Sequence, residues 1–382
     1  MSIIVGAAFL IACILFPEPT VQRAPSGVYK TAASLVGYVA NNDPKVDSRP
    51  DAVVVTESPL RGRGCAKAPA SSLVVTVKDW GAKGDGRADD TAALQNAIDE
   101  IAGTGGTVFV PDGTYMVDAV GEKRLTLKSD MTLKLSKGAI LKAIPNSSAY
   151  YSLLTISGVS NVNVVGGTLE GERKEHKGEA GEWGMGIFID RGAKHITISG
   201  VSSKDMWGDG FYVQGATDVK LCSVIADNNR RQGLSIIAAN GVLVTNSVFR
   251  NTQGTRPSAG IDLEPDQATQ KITNVRIENS QFFDNAGAGI QIGGRGRVAE
   301  VEITSNVFGS NPPGGTYIVG KQGQVSDIAI RRNVFRGKRR IVIKDAPAVL
   351  ASAICDNQYV PYFRMVGWLS WPEESPCESP QS

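Results

Sequence analysis

Gly186-Ile187-Phe188-Ile189, Gly210-Phe211-Tyr212-Val213, Gly233-Leu234-Ser235-Ile236, Gly260-Ile261-Asp262-Leu263 and Gly289-Ile290-Gln291-Ile292 are versions of one phrase that returns about every 22 to 29 residues. In each, glycine precedes two apolar residues separated by a variable one. A second apolar alternation follows, then turn residues rich in Asn, as in Val219-Lys220-Leu221 before Asp227-Asn228-Asn229. A period of this length with two or three short strands per copy describes a solenoid whose turns bury their inner faces only against one another. The expected architecture is all-β, a parallel β-helix.

Composition narrows the function classes. The 382-residue chain has a formal net charge of +2, which supplies no broad basic field for nucleic acid or an anionic membrane surface. Ile3 to Phe16 form an apolar run, too short for an ordinary bilayer span and close to a signal-peptide core. Residues 1–16 are therefore read as a signal peptide or membrane anchor. Residues 17–72, rich in Pro, Ser, Asn, Asp and Arg with little periodicity, are read as a flexible linker. The β-helix and its cap are expected over 73–350 and a tail over 351–382. The expected location is secreted or periplasmic, with membrane contact only through the N-terminal anchor. None of Cys13, Cys65, Cys222, Cys355 and Cys377 is paired at metal-ligand spacing, so no metal site and no cofactor are expected. Cys222 reads as a small packed residue, and Cys355 with Cys377 as a candidate bridge to the tail.

Ahead of the repeat the text changes. Asp90 offers a helix N-cap, Leu94, Ile98 and Ile101 share one helical face, and Gly103 follows as a stop. Thr107-Val108-Phe109-Val110 is a strand closed by Pro111-Asp112-Gly113. A short helix here would cover the open end of the solenoid. Asp79-Trp80-Gly81-Ala82-Lys83-Gly84-Asp85-Gly86, Asp89-Asp90-Thr91-Ala92-Ala93-Leu94-Gln95 and Val110-Pro111-Asp112-Gly113-Thr114-Tyr115 together closely resemble the N-terminal signature of the pectate lyase superfamily, in its rhamnogalacturonase-like and epimerase-like branch. The resemblance covers residues 74 to about 345. It implies a right-handed parallel β-helix with an N-terminal capping helix and a polysaccharide partner, and it admits a homotrimer about the helix axis. It does not choose among hydrolase, lyase, epimerase and binder, since all occur on this scaffold.

Alternation fixes the residue between each apolar pair as outward-pointing. The outward strip then runs Phe188 and Asp190, Tyr212 and Gln214, Ser235 and Ile237, Asp262 and Glu264, and Gln291, a long shallow surface suited to an extended polymer. Asp209, Asp262 and Glu264 are candidate catalytic carboxylates. Coils stack at about 4.8 Å, which sets Asp209 and Asp262 on the order of 10 Å apart, near the separation used by inverting glycosidases. Trp207-Gly208-Asp209-Gly210 also resembles the Asn-Thr-Asp-Gly strand of polygalacturonases, with Asp209 at the catalytic aspartate. That family's paired aspartates fall here at Arg231-Gln232 and its His-Gly at Ala259-Gly260, so a hydrolase would draw its second acid from Asp262 or Glu264.

Arg230 and Arg231 stand between the acids, and guanidinium groups suit a sugar carboxylate. They point to an acidic polysaccharide; alternatively one of them pairs with Asp227 or Asp262 and stiffens the turn. Residues 171–184 interrupt the repeat and read as a wall of the groove, with His176 and Glu182 as acid/base candidates and Trp183 as a sugar-stacking platform. Tyr212 and Gln291 complete the expected substrate contacts, and His195 is expected to lie away from the groove. The leading function is glycoside hydrolysis of an acidic polysaccharide by paired carboxylates. The alternatives are a uronate lyase or C5-epimerase using Arg231 or His176, and a non-catalytic glycan-binding surface protein.

Overall fold

The computed structural model describes Cys65 and residues 71–360, apart from 180, 313, 321–323, 337–339, 345 and 347–352. The apolar run Ile3 to Phe16, most of the expected linker, and Cys13 and Cys377 lie outside the described residues. The fold is a right-handed parallel β-helix. Its strands make a 19-stranded and an 11-stranded sheet. The larger one wraps two faces, because Phe211–Cys222 and Leu234–Thr245 each run through a corner. We call the three faces A, B and C in chain order. One coil contributes, for example, Trp183–Asp190 to A, Lys194–Ser199 to B and Ser202–Lys204 to C.

Every coil closes because polar residues tolerate the left-handed backbone conformation at its corners. Asp205, Ser223, Asn228, Asn246, Asn251 and Asn279 all have φ near +50°, where a short side chain that bonds locally is least costly. Inside, identical residues stack on one another. Phe249, Phe282, Phe308 and Phe335 form a column with centroid spacings of 5.3, 5.0 and 4.7 Å. At the B-to-C corner, Asn306 donates to the Ile277 carbonyl at 2.9 Å and its own N–H donates to Asn333 Oδ1 at 2.9 Å. Such a ladder satisfies turn groups that the core would otherwise leave unpaired.

The glycine that opens each phrase has a spatial cause. A Cβ at Gly210 would sit 2.7 Å from the Gly233 carbonyl oxygen, and one at Gly260 2.6 Å from that of Gly289. The C-to-A corners therefore stack too closely for any side chain.

At the N-terminal end the helix Thr91–Glu100 buries Leu94, Ala97 and Ile98, and Ile101 is buried just beyond it. Gln95 accepts from Thr126 N at 2.8 Å and donates to Thr126 O at 3.1 Å, so one side chain stands in for the missing neighbour of an edge strand. Asp90 does not cap the helix with its side chain. Its carboxylate instead accepts from the backbone N–H groups of Lys83 and Gly84, because the preceding turn presents two donors closer than the helix does. At the other end, Ile354–Cys355 and Gln358–Val360 pair in parallel with the coil before them, so the stacking extends past residue 350.

The reading of Cys222 as a small packed residue is corrected. Cys222 is joined to Cys65, and Cys355 is also disulfide-bonded. Leu221 points inward, so alternation sends Cys222 outward. It is buried at 2 % exposure on the outer surface, in its bridge to Cys65, and does not belong to the core.

Candidate active site: a carboxylate cage around Arg231

On face A the outward row is in register: Thr155, Phe188, Tyr212, Ser235, Asp262, Gln291 and Tyr317 pair coil by coil. The expected strip therefore exists. Its early part is apolar, with Met185, Phe188, Tyr212 and Ile237 forming a small cluster separate from the main core. Ile237 thus packs among outer aromatic groups and offers no groove contact. The later part is acidic.

The C-to-A corners set a second row. Gly210 N–H donates to the Gln232 carbonyl and Gly233 N–H to that of Ala259, so Asp209, Gln232 and Ala259 stack ahead of their glycines. Arg231 then reaches across coils. Its Nη1 donates to Asp209 Oδ2 at 3.0 Å and to Ser235 Oγ at 3.3 Å, and its Nη2 to Glu264 Oε2 at 3.4 Å. Glu182 Oε1 lies 3.8 Å from Nε, a charge contact beyond hydrogen-bond reach. Ser235 Oγ also donates to Asp209 Oδ2, at 2.8 Å. Gln232 Nε2 donates to Asp262 Oδ2 at 2.8 Å, and Gln291 Nε2 approaches the same oxygen at 3.5 Å.

Asp209 and Asp262 have no exposed surface, whereas the Glu182 and Glu264 side chains are each 32 % exposed. Burial raises the Asp209 carboxyl to about 6, against the opposing pull of Arg231 and Ser235. Burial also pushes Asp262 well above the carboxylate range, reinforced by the neighbouring charge of Glu264. Asp262 is therefore the carboxyl of this cluster held toward its protonated form. Arg231 is disfavoured by burial, yet Asp209, Glu182, Glu264 and Asp262 together hold it charged, above the usual arginine range. It fills the place that a cation would take among these acids.

Several expected contacts are redrawn. Arg231 pairs with Asp209 and Glu264, while Asp227 binds Arg250. Arg230 lies 3.8 Å over the Trp207 ring and donates to the Gly181 carbonyl at 2.9 Å. Arg231 is thus committed to the protein's own acids, whereas Arg230 remains partly exposed beside Trp207. His176 is not a groove residue either. Its side chain is 1 % exposed, it is stacked on Trp207 at 3.9 Å, and its Nδ1 bonds the buried Glu172 at 2.9 Å. The insertion folds this part beneath itself because Glu172 four residues earlier captures the ring. Tyr212 is 7 % exposed, and burial followed by the charges of Asp209 and Asp266 drives its hydroxyl upward. Trp183, by contrast, opens the strand Trp183–Asp190 and is 42 % exposed. His195 bonds Asp218 at 2.9 Å on face B, away from the groove. Trp207, Gln232 and Ser235 had no assigned roles. Gln232 was legible as the stacking partner of Asp209, one place before the phrase glycine; the stack on Trp207 has no local sequence signal.

Comparison with known proteins agrees with this architecture. The Bacillus subtilis (strain 168) protein YclG, described as uncharacterized, is 28 % identical over 256 residues, 58 % of this chain and 43 % of that protein. Mannuronan C5-epimerase AlgE2 of Azotobacter vinelandii is 28 % identical over 260 residues, 56 % of this chain and 25 % of that protein. The chain thus spans less than half the length of either. The crystal structure of PfbA, a surface adhesin of Streptococcus pneumoniae, superposes with a TM-score of 0.56 at 18 % identity, covering 76 % of this chain and 92 % of that one, a likeness of fold. Residues 74–310 match the family described as rhamnogalacturonase A/epimerase, pectate lyase-like, and the chain belongs to that family.

Proposed function

We propose that the chain is an exported carbohydrate-active enzyme that hydrolyses a glycosidic bond at the Arg231 cage. The observation that carries this reading is the pair of partly exposed carboxylates, Glu182 and Glu264, set on one guanidinium beside the buried acids Asp209 and Asp262. Hydrolysis needs one acid to protonate the leaving oxygen and one carboxylate to activate water or attack. In this reading Glu264, beside buried Asp262, serves as the acid and Glu182 as the carboxylate. Both touch the same guanidinium, so they are separated by at most roughly 10 Å, within reach of the paired acids of glycosidases. Asp209 and Asp262 have no surface to offer a sugar and act through Arg231 and Glu264. Export is supported by the Cys65–Cys222 bridge, since disulfides persist in oxidising compartments.

Elimination or epimerisation would need a group that takes the C5 proton at neutral pH. Arg231 is held charged, His176 is buried away from the groove, and Tyr212 is driven upward, so none of these three is placed to take that proton. The full burial of Asp209 and Asp262 favours a second reading, a glycan-binding protein that uses the strip without turnover. Reducing-end release from a broad glycan panel separates the two. Glu264→Gln and Glu182→Gln are expected to lower kcat on the order of a hundredfold or more with binding kept. An unsaturated product absorbing in the ultraviolet, or no product from any glycan, would refute hydrolysis.

A further inference from the structure

We propose that the sugar seated over the Arg231 cage is uncharged, and that its neighbour toward the earlier coils stacks on the exposed rings of Trp183 and Tyr150. The inference rests on face A being the glycan site and deepens that reading to a substrate class. Trp183 and Tyr150 are register partners on adjacent coils, 42 % and 39 % exposed. Tyr150 meets Phe188 edge to face at 6.0 Å, and Phe188 meets Tyr212 at 5.5 Å, so the platform is braced from behind. Flat apolar rings match the C–H face of a pyranose. Trp183 directly follows Glu182, which touches Arg231; platform and cage are therefore contiguous.

Charge then selects the sugar. Over the cage a ligand meets the accessible carboxylates Glu182 and Glu264, with Asp266 close enough to bear on Tyr212. Arg231 is already shared among Asp209, Glu264 and Glu182. Arg230 is drawn onto Trp207 and backbone carbonyls. A uronate placed here would bring a further negative charge beside Glu182, where Asp209, Asp262, Glu264 and Asp266 already outnumber the guanidinium groups, which costs binding. Hydroxyl groups, in contrast, can hydrogen-bond both glutamates, since each hydroxyl can donate or accept. Arg124, Asp190 and Arg191 all lie near Tyr150, with Arg191 paired to Asp190 at 3.6 Å, so the platform is of mixed charge and the selection for a neutral sugar is made at the cage.

Affinity electrophoresis of the full chain at neutral pH tests this with soluble neutral galactan, xylan and glucan against polygalacturonate and alginate. We expect retardation by a neutral glycan that added salt leaves unchanged. Trp183→Ala and Tyr150→Ala should each weaken it roughly tenfold, and Trp183→Phe should keep most of it. Glu182→Gln should raise the affinity for polygalacturonate. The proposal is overturned if a polyuronate binds best, if no neutral glycan binds, or if both alanine variants bind like the parent. The same samples assayed for reducing ends keep the two readings apart. A neutral glycan bound but uncut sinks hydrolysis alone, and a polyuronate cut into new reducing ends sinks this inference alone.

Discussion

At Asp209 the balance between burial and pairing has a measurable sign. The carboxyl rises from its ordinary 3.8 to about 6 although Arg231 sits 3.0 Å away, so desolvation outweighs the ion pair. A carboxyl with a raised folded-state value binds its proton more tightly when folded. Its contribution therefore favours the native state below about pH 4, is lost as pH climbs through 6, and stays lost above. A rise from 3.8 to about 6 corresponds to roughly 3 kcal/mol. Asp262 is shifted in the same direction and adds to the slope. Chemical denaturation between pH 4 and 7 should show stability falling with pH, and Asp209→Asn should flatten that fall. Stability that rises steadily over this window in the parent would show that Arg231 dominates, and the account of buried acids would be wrong.

Among elements, the C-to-A corner decides how closely coils stack. Gly233 lies between Gly210 and Gly260 in that column, and a Cβ there would strike the Gly260 carbonyl and lie 2.9 Å from Phe249 Cδ1. Backbone cannot yield as a flexible side chain would. Gly233→Ala is expected to cost about 1 to 3 kcal/mol and to disturb Arg231, two residues before it. Thermal melts alongside Gly215→Ala, a left-handed glycine with open space around it, would separate crowding from backbone strain; equal losses would contradict the stacking argument. The same corner shows what the sequence could and could not reveal. The period, the inward pairs and the outward row from Phe188 to Gln291 follow from alternation, which is a local property. Burial at a corner is not local. Nothing near Asp209 says that Ser235 and Arg231 from the next coil will close over it, and nothing near His176 announces Trp207 beneath it. Arginine read as a ligand for sugar carboxylates became a ligand for the protein's own, since four acids surround it before any substrate arrives.

Across the whole molecule, a solenoid transmits order mainly between neighbouring coils, and the Cys65–Cys222 bridge is an exception. It joins residues 157 apart in sequence, from ahead of the cap to the end of a face B strand in the middle coils. Closing so long a loop in the unfolded chain removes entropy that the native state has already lost, with typical stabilisation of about 2 to 4 kcal/mol. The bridge also places a covalent tie across coils that are otherwise held only by their neighbours. Mass spectrometry of a non-reducing digest should recover the Cys65 peptide joined to the Cys222 peptide. Cys65→Ser, or mild reduction, should lower Tm and should speed hydrogen exchange most in the cap strands around Val74–Thr76 and least beyond the coil of Leu234–Thr245. Protein made in an oxidising compartment should then outlast the same chain made in a reducing one. A Cys65 found free, or a Tm unmoved by the substitution, would remove both the tie and the support it lends to export.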